Sequence, residues 1–142
     1  MEDITNLEGV RRVNLDGVVF QLLQNGLNAA QLRQQVYANN IANVDTPGFQ
    51  RQDVVFEDFL QSVLGADPGR EGVGTPSAAA WTAALQVSPQ VVTDRASVVD
   101  NNGNNVDIDA EMAKLAQNQI RYNTLVEDVR MRLDRLKTAI EG

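Results

Sequence analysis

The segment YANNIANVDTPGF, residues 37–49, carries an amphipathic helix to its end and then turns the chain. Apolar residues recur in it every three or four positions, which predicts a helix. The helix must end before Pro47, because a residue that precedes proline avoids the helical region, and Gly48 supplies the turn. Asparagine is a poor helix former. The three asparagines of this segment therefore require compensating contacts.

The helix that contains this segment is predicted to run from about Asp16 to Val44. Its apolar stripe advances alternately by three and four residues, with one polar break at Gln34, as in the seam of a coiled coil. The predicted seam consists of Phe20, Leu23, Leu27, Ala30, Gln34, Tyr37, Ile41 and Val44.

A second helix of the same kind is predicted to run almost to Gly142. Asp107 or Asp109 caps its start, and Glu111 adds negative charge to its first turn. At ~1.5 Å per residue this helix would be about 50 Å long. Its predicted seam consists of Ile108, Met112, Leu115, Gln119, Tyr122, Val126, Val129, Leu133, Leu136 and Ile140.

Neither helix can bury its stripe alone, so we expect the two to pack as an antiparallel coiled coil in a mainly α fold. Each stripe has one glutamine three residues before a tyrosine. A register with Gln34 opposite Tyr122 and Tyr37 opposite Gln119 gives every apolar residue an apolar partner. The amide–hydroxyl hydrogen bonds of that register would each contribute about 1 kcal/mol.

The region between the helices is predicted to be partly extended and rich in loops. One or two helical turns are expected at 56–63, and glycine and proline make 65–80 a loop. Asn102-Gly103 between β-branched runs predicts a short β-hairpin. We therefore divide one assembly-dependent domain into an N-terminal helix and turn, a middle segment and a C-terminal helix, at 1–48, 49–106 and 107–142.

Composition excludes several classes of function. The chain has 142 residues, a formal net charge of −7 and no clustered basic face, which argues against a nucleic-acid partner. Cysteine and histidine are absent, which excludes disulfides, thiolate or imidazole metal sites and histidine bases, and we expect no cofactor. No segment approaches the ~20 apolar residues of a transmembrane helix. The N-terminus also lacks the pattern of a secretory signal.

The polar faces of both helices are rich in amides and poor in charge. Arg33 is the only charged residue between Asp16 and Asp45, and Arg121 is the only one in 115–126. An amide costs less free energy to desolvate than a charge does. Such faces therefore suit lateral packing against copies of the same chain.

Two stretches of the sequence resemble a known family. ANNIANVDTPGF at 38–49 is similar to the signature near the N-terminus of bacterial flagellar rod, hook and hook-associated proteins. GNNVDIDAEMAKLAQNQIRYNTL at 103–125 is similar to the C-terminal segment of that family. The short chain and the arrangement of the two stretches are most similar to the rod proteins. The loop at 65–80 carries no family signal.

The resemblance implies a structural subunit of the rod of the flagellar basal body. Such subunits form a hollow helical structure that transmits torque and lets export substrates pass. The resemblance also implies export by the flagellar type III apparatus without a cleaved signal peptide, and a location in the periplasmic rod. The implied partners are copies of the chain, other rod subunits, the protein that joins the rod base to the MS ring, and the export gate.

The resemblance also offers a role for the asparagines, which lie off the predicted seam. We expect their side chains to bond backbone groups of the turn or of a neighbouring subunit, with Phe49 anchoring the turn by burial. Plain helix termination would explain the same residues without an interface. The predicted assembly motif consists of Asn39, Asn40, Asn43, Thr46, Pro47, Gly48 and Phe49.

Two other functions compete with a rod subunit. A coiled-coil scaffold or adaptor would use the same helices in a small closed oligomer instead of an open helical array. An enzyme would need the carboxylate pairs Asp107 with Asp109, or Glu57 with Asp58, but helix capping and a solvated turn explain them. We therefore predict no catalytic activity.

A calcium-binding loop is the third alternative. Asp100, Asn102, Asn104 and Glu111 occupy positions one, three, five and twelve of an EF-hand-like spacing. Asn105 stands at position six, where that loop requires glycine. The sequence therefore disfavours calcium.

Overall fold

The computed structural model describes residues 15–65, 76–97 and 103–142, with side chains from Asp16 onward. Two long helices dominate it, which confirms the predicted mainly α fold. The elements are α1 (Leu15–Ala42), β1 (Gln52–Val55), α2 (Glu57–Gly65), α3 (Ala78–Leu85), β2 (Gln90–Thr93) and α4 (Ile108–Glu141).

The ends of the long helices follow from local sequence. Asp107 caps α4, because its carboxylate accepts hydrogen bonds from the backbone N–H groups of Asp109 at 3.0 Å and Ala110 at 3.1 Å. After α1, the N–H of Phe49 donates to the carbonyl of Thr46 at 3.1 Å, which closes a turn. Pro47 holds the second position of that turn, and Gly48, with φ of 74°, holds the third. This is the arrangement of a type II turn.

The two long helices pack antiparallel, as predicted. Asn40 near the end of α1 donates to Glu111 in the first turns of α4. Gly26, earlier in α1, faces Leu125, later in α4, and a Cβ atom added to this glycine would lie 3.5 Å from the leucine Cδ1. The 34 residues of α4 exceed the 28 of α1.

The predicted register and seam need correction. The residue opposite Asn40 would have been Ala116, but the structure has Glu111 there, five positions earlier. Tyr37 donates its hydroxyl to Asp53 at 3.0 Å, and Gln119 donates to Asn123 at 3.1 Å, so these two residues do not pair with each other.

The observed register and seam differ from the predicted ones because buried polar residues occupy the centre of both stripes. On α1 a line one residue before the predicted seam is buried, namely Ala29, Arg33, Val36 and Asn40, beside the seam residues Ala30 and Tyr37. On α4 the buried residues are Glu111 and Asn118, one before Met112 and Gln119. A pattern of apolar residues could not find a line whose polar members are buried with specific partners.

The small antiparallel sheet lies elsewhere than at Asn102-Gly103. β1 pairs with β2 from Gln52 opposite Thr93 to Val55 opposite Gln90. Residues 104–107 form no strand, and Asn102 lies outside the described residues. The sheet packs on α1, where Val54 joins Val36 and Tyr37 in a buried cluster that Leu32 and Leu115 flank.

The remaining elements extend the expected middle segment. α2 confirms the helical turns predicted at 56–63. α3 was not predicted; Ser77 caps it by accepting from the N–H of Ala80 at 3.2 Å, and its alanines favour a helix. Residues 66–75 of the predicted loop lie outside the described residues, as does the N-terminus on which the signal-peptide prediction rests.

Candidate assembly site

Polar side chains fill the end of the helix pair where α1 finishes and α4 begins. We call this region the closed end and define it by Asn40, Arg51, Asp53, Asn105 and Glu111. They come from α1, from the chain before β1, from β1 itself and from the chain around the start of α4. All are buried or half-buried. This is where the two family-like stretches meet.

Asn40 connects α1 to both β1 and α4. Its side chain is fully buried, with 0% exposed. Its amide nitrogen donates to the carbonyl of Gln52 at 2.7 Å and to Glu111 Oε2 at 2.7 Å. Its amide oxygen accepts from the N–H of Gln52 at 3.0 Å. Asn40 thus supplies β1 with the pair of hydrogen bonds that a neighbouring strand would supply.

Glu111 is the buried carboxylate of the closed end, with 1% of its surface exposed. Arg51 donates from Nε to Glu111 Oε1 at 2.6 Å, and Lys114 Nζ lies 3.4 Å from the same oxygen. Arg51 also forms ion pairs with Asp53 and, at 3.8 Å, with Asp94. One guanidinium therefore contacts carboxylates from three parts of the chain.

Two buried asparagines hold the chain that enters α4. Asn104 donates to the carbonyl of Val44, and its amide oxygen accepts from the N–H of Val106 at 2.7 Å. Asn105 accepts from the N–H of Arg51 at 2.6 Å and donates to the carbonyl of Asp94 at 2.8 Å. These contacts tie the turn after α1, β1 and the end of β2 to the start of α4.

A second ion-pair group lies midway along α1. Arg33 is buried and donates to both carboxylate oxygens of Glu57, with Nη1 to Oε1 at 2.8 Å, and to the carbonyl of Val54 at 3.3 Å. Arg121 of α4 reaches the same carboxylate at 3.2 Å. Burial acts to raise the pKa of Glu57, but the hydrogen bond from Arg33, a backbone hydrogen bond and the positive charges of Arg33 and Arg121 together lower that pKa below its usual value.

The titratable groups of the closed end are shifted by burial and by their partners. Burial raises the pKa of Tyr37 to about 12, and the neighbouring Asp53 carboxylate adds to that shift. Burial acts in the same direction on Asp53, but hydrogen bonds from Arg51 and from the Val54 N–H lower the pKa of that carboxyl. These shifts favour a neutral tyrosine beside a charged aspartate.

The predicted assembly motif divides between buried and exposed positions. Asn40 is buried within the subunit, and Asn43 is half-buried and donates to the carbonyl of Asn39 at 2.8 Å. Thr46 donates to Asn43 Oδ1 at 3.2 Å. Phe49 is half-buried. The exposed members are Asn39, Thr46, Pro47 and Gly48.

The predicted seam residues also divide by burial. Ala30 and Tyr37 are buried. The half-buried members are Leu23, Leu27, Ile41, Val44, Leu115, Tyr122 and Val129. The exposed members are Phe20, Gln34, Ile108, Met112, Gln119, Val126, Leu133, Leu136 and Ile140.

The outward face of α1 carries no charge after Asp16. Arg33 is turned inward onto Glu57, and every exposed residue from Gly17 to Ala42 is uncharged. At ~1.5 Å per residue this face is about 40 Å long. Its exposed amide residues are Gln21, Gln24, Asn28, Gln31, Gln34, Gln35 and Asn39.

The opposite end of the helix pair is open and apolar. We define this open end by Phe20, Leu133 and Leu136, which line a groove of about 600 Å³ together with Asp16 and Arg135. Both leucines are half exposed, at 49% and 51%. Apolar side chains that the structure leaves in contact with water are typical of surfaces that bind another molecule.

Comparison with known proteins places this arrangement in a family. Residues 20–50 match a family described as flagella basal body rod protein. The flagellar basal body rod protein FlgB of Bacillus subtilis (strain 168) is 37% identical, over 86% of this chain and 92% of its own length. The chain belongs to the FlgB family. FlgB of Borrelia hermsii is 37% identical over 78% of this chain and 87% of its own length, and FlgB of Salmonella typhimurium is 32% identical over 84% and 90%.

The match to the basal body rod protein family over 20–50 ends at Gln50, beside the closed end. It covers α1 from Phe20 onward, the turn after α1 and the asparagines Asn39, Asn40 and Asn43. Among the described helices, none combines the length and the apolar character that crossing a bilayer requires.

Sequence reasoning missed the charged and amide residues that organise the closed end. Glu111 had been interpreted as a first-turn charge, although it is buried against Arg51 and Asn40. The family-like stretch at 103–125 contains Asn104, Asn105 and Glu111, and was the available signal. Of the calcium-like spacing, Asn104 and Glu111 bond to the protein itself, and Asp100 lies outside the described residues.

Proposed function

We propose that this chain is a structural subunit of the proximal rod of a bacterial flagellar basal body. Copies of it pack side by side into a hollow helical array that transmits torque and lets export substrates pass. Its role is mechanical and involves no catalysis. Membership of the FlgB family supports this proposal, and the uncharged outward face of α1 is the observation on the molecule that carries it.

The absence of charge on the outward face of α1 lowers the free-energy cost of forming an interface there. Packing two helices together removes water from both surfaces, and the free-energy cost is far larger for a charge than for an amide that finds a partner. A chain with net charge −7 that keeps about 40 Å of helix surface free of charge is suited to repeated lateral contact.

α4 offers a second surface for neighbours. Its rotation toward Glu111 and Asn118 leaves apolar residues on the outside, including Met112, Ile120 and Val126, which are 56%, 69% and 41% exposed. In a single subunit these residues are exposed, so they lack the stabilisation that burial would give, about 25 cal/mol per Å² of apolar surface. Contact with a neighbouring subunit would recover part of it.

This proposal assigns a role to the predicted assembly motif and to each of the three divisions of the chain. The exposed turn at 46–48 and Asn39 contact neighbouring subunits, while Asn40 and the half-buried Asn43 and Phe49 hold the turn in position. The helices at 1–48 and 107–142 form the inner wall of the array. The middle segment at 49–106 makes the outer contacts.

The proposed setting is the periplasmic rod. The chain reaches it by flagellar type III export without a cleaved signal peptide. Its partners there are copies of itself and other rod subunits, the protein that joins the rod base to the MS ring, and the export gate. The resemblance of 38–49 and 103–125 to the family supports these assignments.

The test is to place charge on the α1 face. In bacteria that lack their own copy of this protein, we expect Gln31→Glu combined with Gln35→Glu to abolish swarming and rod assembly, because buried unpaired carboxylates oppose packing. Circular dichroism of the isolated chain should show unchanged helix content, since both side chains are exposed.

The matched control is Gln61→Glu in α2, where the same change adds an exposed charge to a helix that already carries Glu57 and Asp58. This variant should assemble and swim. Normal swarming by the variant with both Gln31→Glu and Gln35→Glu would show that assembly does not depend on the uncharged face of α1, and it would contradict the proposal. Electron microscopy that finds only rings or dimers of the chain would favour the closed scaffold or adaptor instead.

A further inference from the structure

Arg51 contacts three carboxylates that differ greatly in their access to water. Asp53 and Asp94 have 32% and 30% of their side-chain surface exposed, but Glu111 has only 1%. The two aspartates can therefore be solvated without Arg51. Glu111 cannot, because the packing of α4 on α1 removes its carboxylate from water.

The other partners of Glu111 replace Arg51 poorly. Asn40 provides one neutral N–H at 2.7 Å. Lys114 lies 3.4 Å away on the same helix, and its side chain is 37% exposed, so solvent weakens its interaction. A buried carboxylate that keeps only these two donors remains largely uncompensated.

The backbone contacts of Arg51 fix where its guanidinium lies. Its N–H donates to Asn105 Oδ1 at 2.6 Å, and its carbonyl accepts from the N–H of Asp94 at 2.8 Å. Both contacts require the middle segment to be docked, with β2 beside β1 and the chain before α4 in place. In the structure Arg51 therefore reaches Glu111 from a position that the docked middle segment fixes.

We infer that Arg51 is a latch, which makes the packing of the first turns of α4 on α1 depend on the docked middle segment. The closed end then folds as one unit, because an undocked middle segment leaves a charge that opposes helix packing. For a rod subunit the latch would fix α4 relative to α1 before neighbours are added. That last consequence rests on the proposed function, but the latch itself is a property of the single chain.

Hydrogen exchange on the isolated full-length chain tests the latch. In Arg51→Gln we expect the protection of amides in β1, in β2 and in the first two turns of α4 to fall together by about 100-fold or more. The matched control is Arg132→Gln, which removes an ion pair with Asp128 within α4. It should change protection in these segments by less than about 3-fold.

The decisive variant combines Arg51→Gln with Glu111→Gln. Without the buried charge α4 no longer needs the guanidinium, so its first two turns should recover protection to within about 10-fold of the unmodified chain. If Arg51 stabilised only β1 and β2, the double variant would show no such recovery of protection in α4.

Three results would contradict the proposal that Arg51 acts as a latch. One is unchanged protection of α4 in Arg51→Gln while the strands lose theirs. Another is a double variant whose α4 stays unprotected, a result that decides the matter even if Arg51→Gln alone does not fold. The third is an unmodified chain whose first turns of α4 exchange at unfolded rates. Rod assembly enters none of these measurements, so they can fail while the proposed function stands.

Discussion

The two ends of the helix pair solve the same packing problem in opposite ways. At the closed end, buried amides and charges such as Asn40 and Glu111 have specific partners inside the subunit. At the open end, Leu133 and Leu136 lie half exposed beside a groove. The difference teaches that the subunit specifies one end by its own polar contacts, while the described residues at the other end leave apolar surface exposed.

The largest expected effect is that of Asn40→Ala at the closed end. It removes three hydrogen bonds and leaves both backbone groups of Gln52 without that partner, so we expect unfolding free energy to fall by about 3 kcal/mol. Urea denaturation followed by circular dichroism measures it. The exposed neighbour Asn39→Ala should change it by less than about 0.5 kcal/mol. Equal effects of the two would mean that the closed end does not depend on buried polar contacts.

A matched pair of apolar truncations compares the ends directly. Val54→Ala empties part of the buried cluster with Val36 and Tyr37 and should cost about 2 kcal/mol. Leu136→Ala at the open end removes more atoms from a half-exposed site and should cost less than about 1 kcal/mol in the isolated chain. The same urea titration measures both. A reversed order would show that the open end is packed within the monomer.

Two glycines give effects of opposite sign. Gly48 has φ of 74° in the turn of the closed end, so Gly48→Ala should lower unfolding free energy by about 1 kcal/mol. At Gly26 an added Cβ would meet Leu125 Cδ1 at 3.5 Å, an ordinary contact, and alanine favours a helix. Gly26→Ala should therefore raise the melting temperature while Gly48→Ala lowers it. A lower melting temperature for Gly26→Ala would show that α1 and α4 approach more closely at Gly26 than they do in the structure.

The last effect is absent at neutral pH and appears only in alkali. The pKa of Tyr37 is raised to about 12 from an ordinary value of 10, so its contribution to stability is complete below pH 10 and is lost as pH rises through 12. Tyr37→Phe removes this loss. The urea midpoints of the two chains should therefore converge between pH 10 and pH 12. Parallel curves would contradict the burial of this hydroxyl beside Asp53.

The fold class was predictable because its signals are local or periodic. The three-and-four spacing gave both long helices, Asp107 gave the start of α4, and Pro47-Gly48 gave the turn. Two unpaired apolar stripes indicated that the helices pack together; the long connection permits either orientation, and antiparallel packing was chosen as the simplest path. These features depend on neighbours in sequence or on the sum of many weak contacts.

The register and the closed end were not predictable by the same reasoning. Polar positions were assigned to the surface, whereas Arg33, Glu111 and Asn118 face inward. Their burial depends on partners about 20 to 90 positions away in sequence, such as Glu57, Arg51 and Ala30. Burial of such polar residues rotates a helix by about one position and moves part of a predicted seam to the surface.

The contacts of α1 with β1 also bear on how this chain avoids misassembly. Asn40 occupies both backbone groups of Gln52, and Arg33 occupies the carbonyl of Val54, so the edge of β1 away from β2 is covered. β2 has only four residues and follows Pro89, features that discourage pairing with a foreign strand. The small sheet therefore offers little exposed edge that could act as a template for amyloid-like stacking.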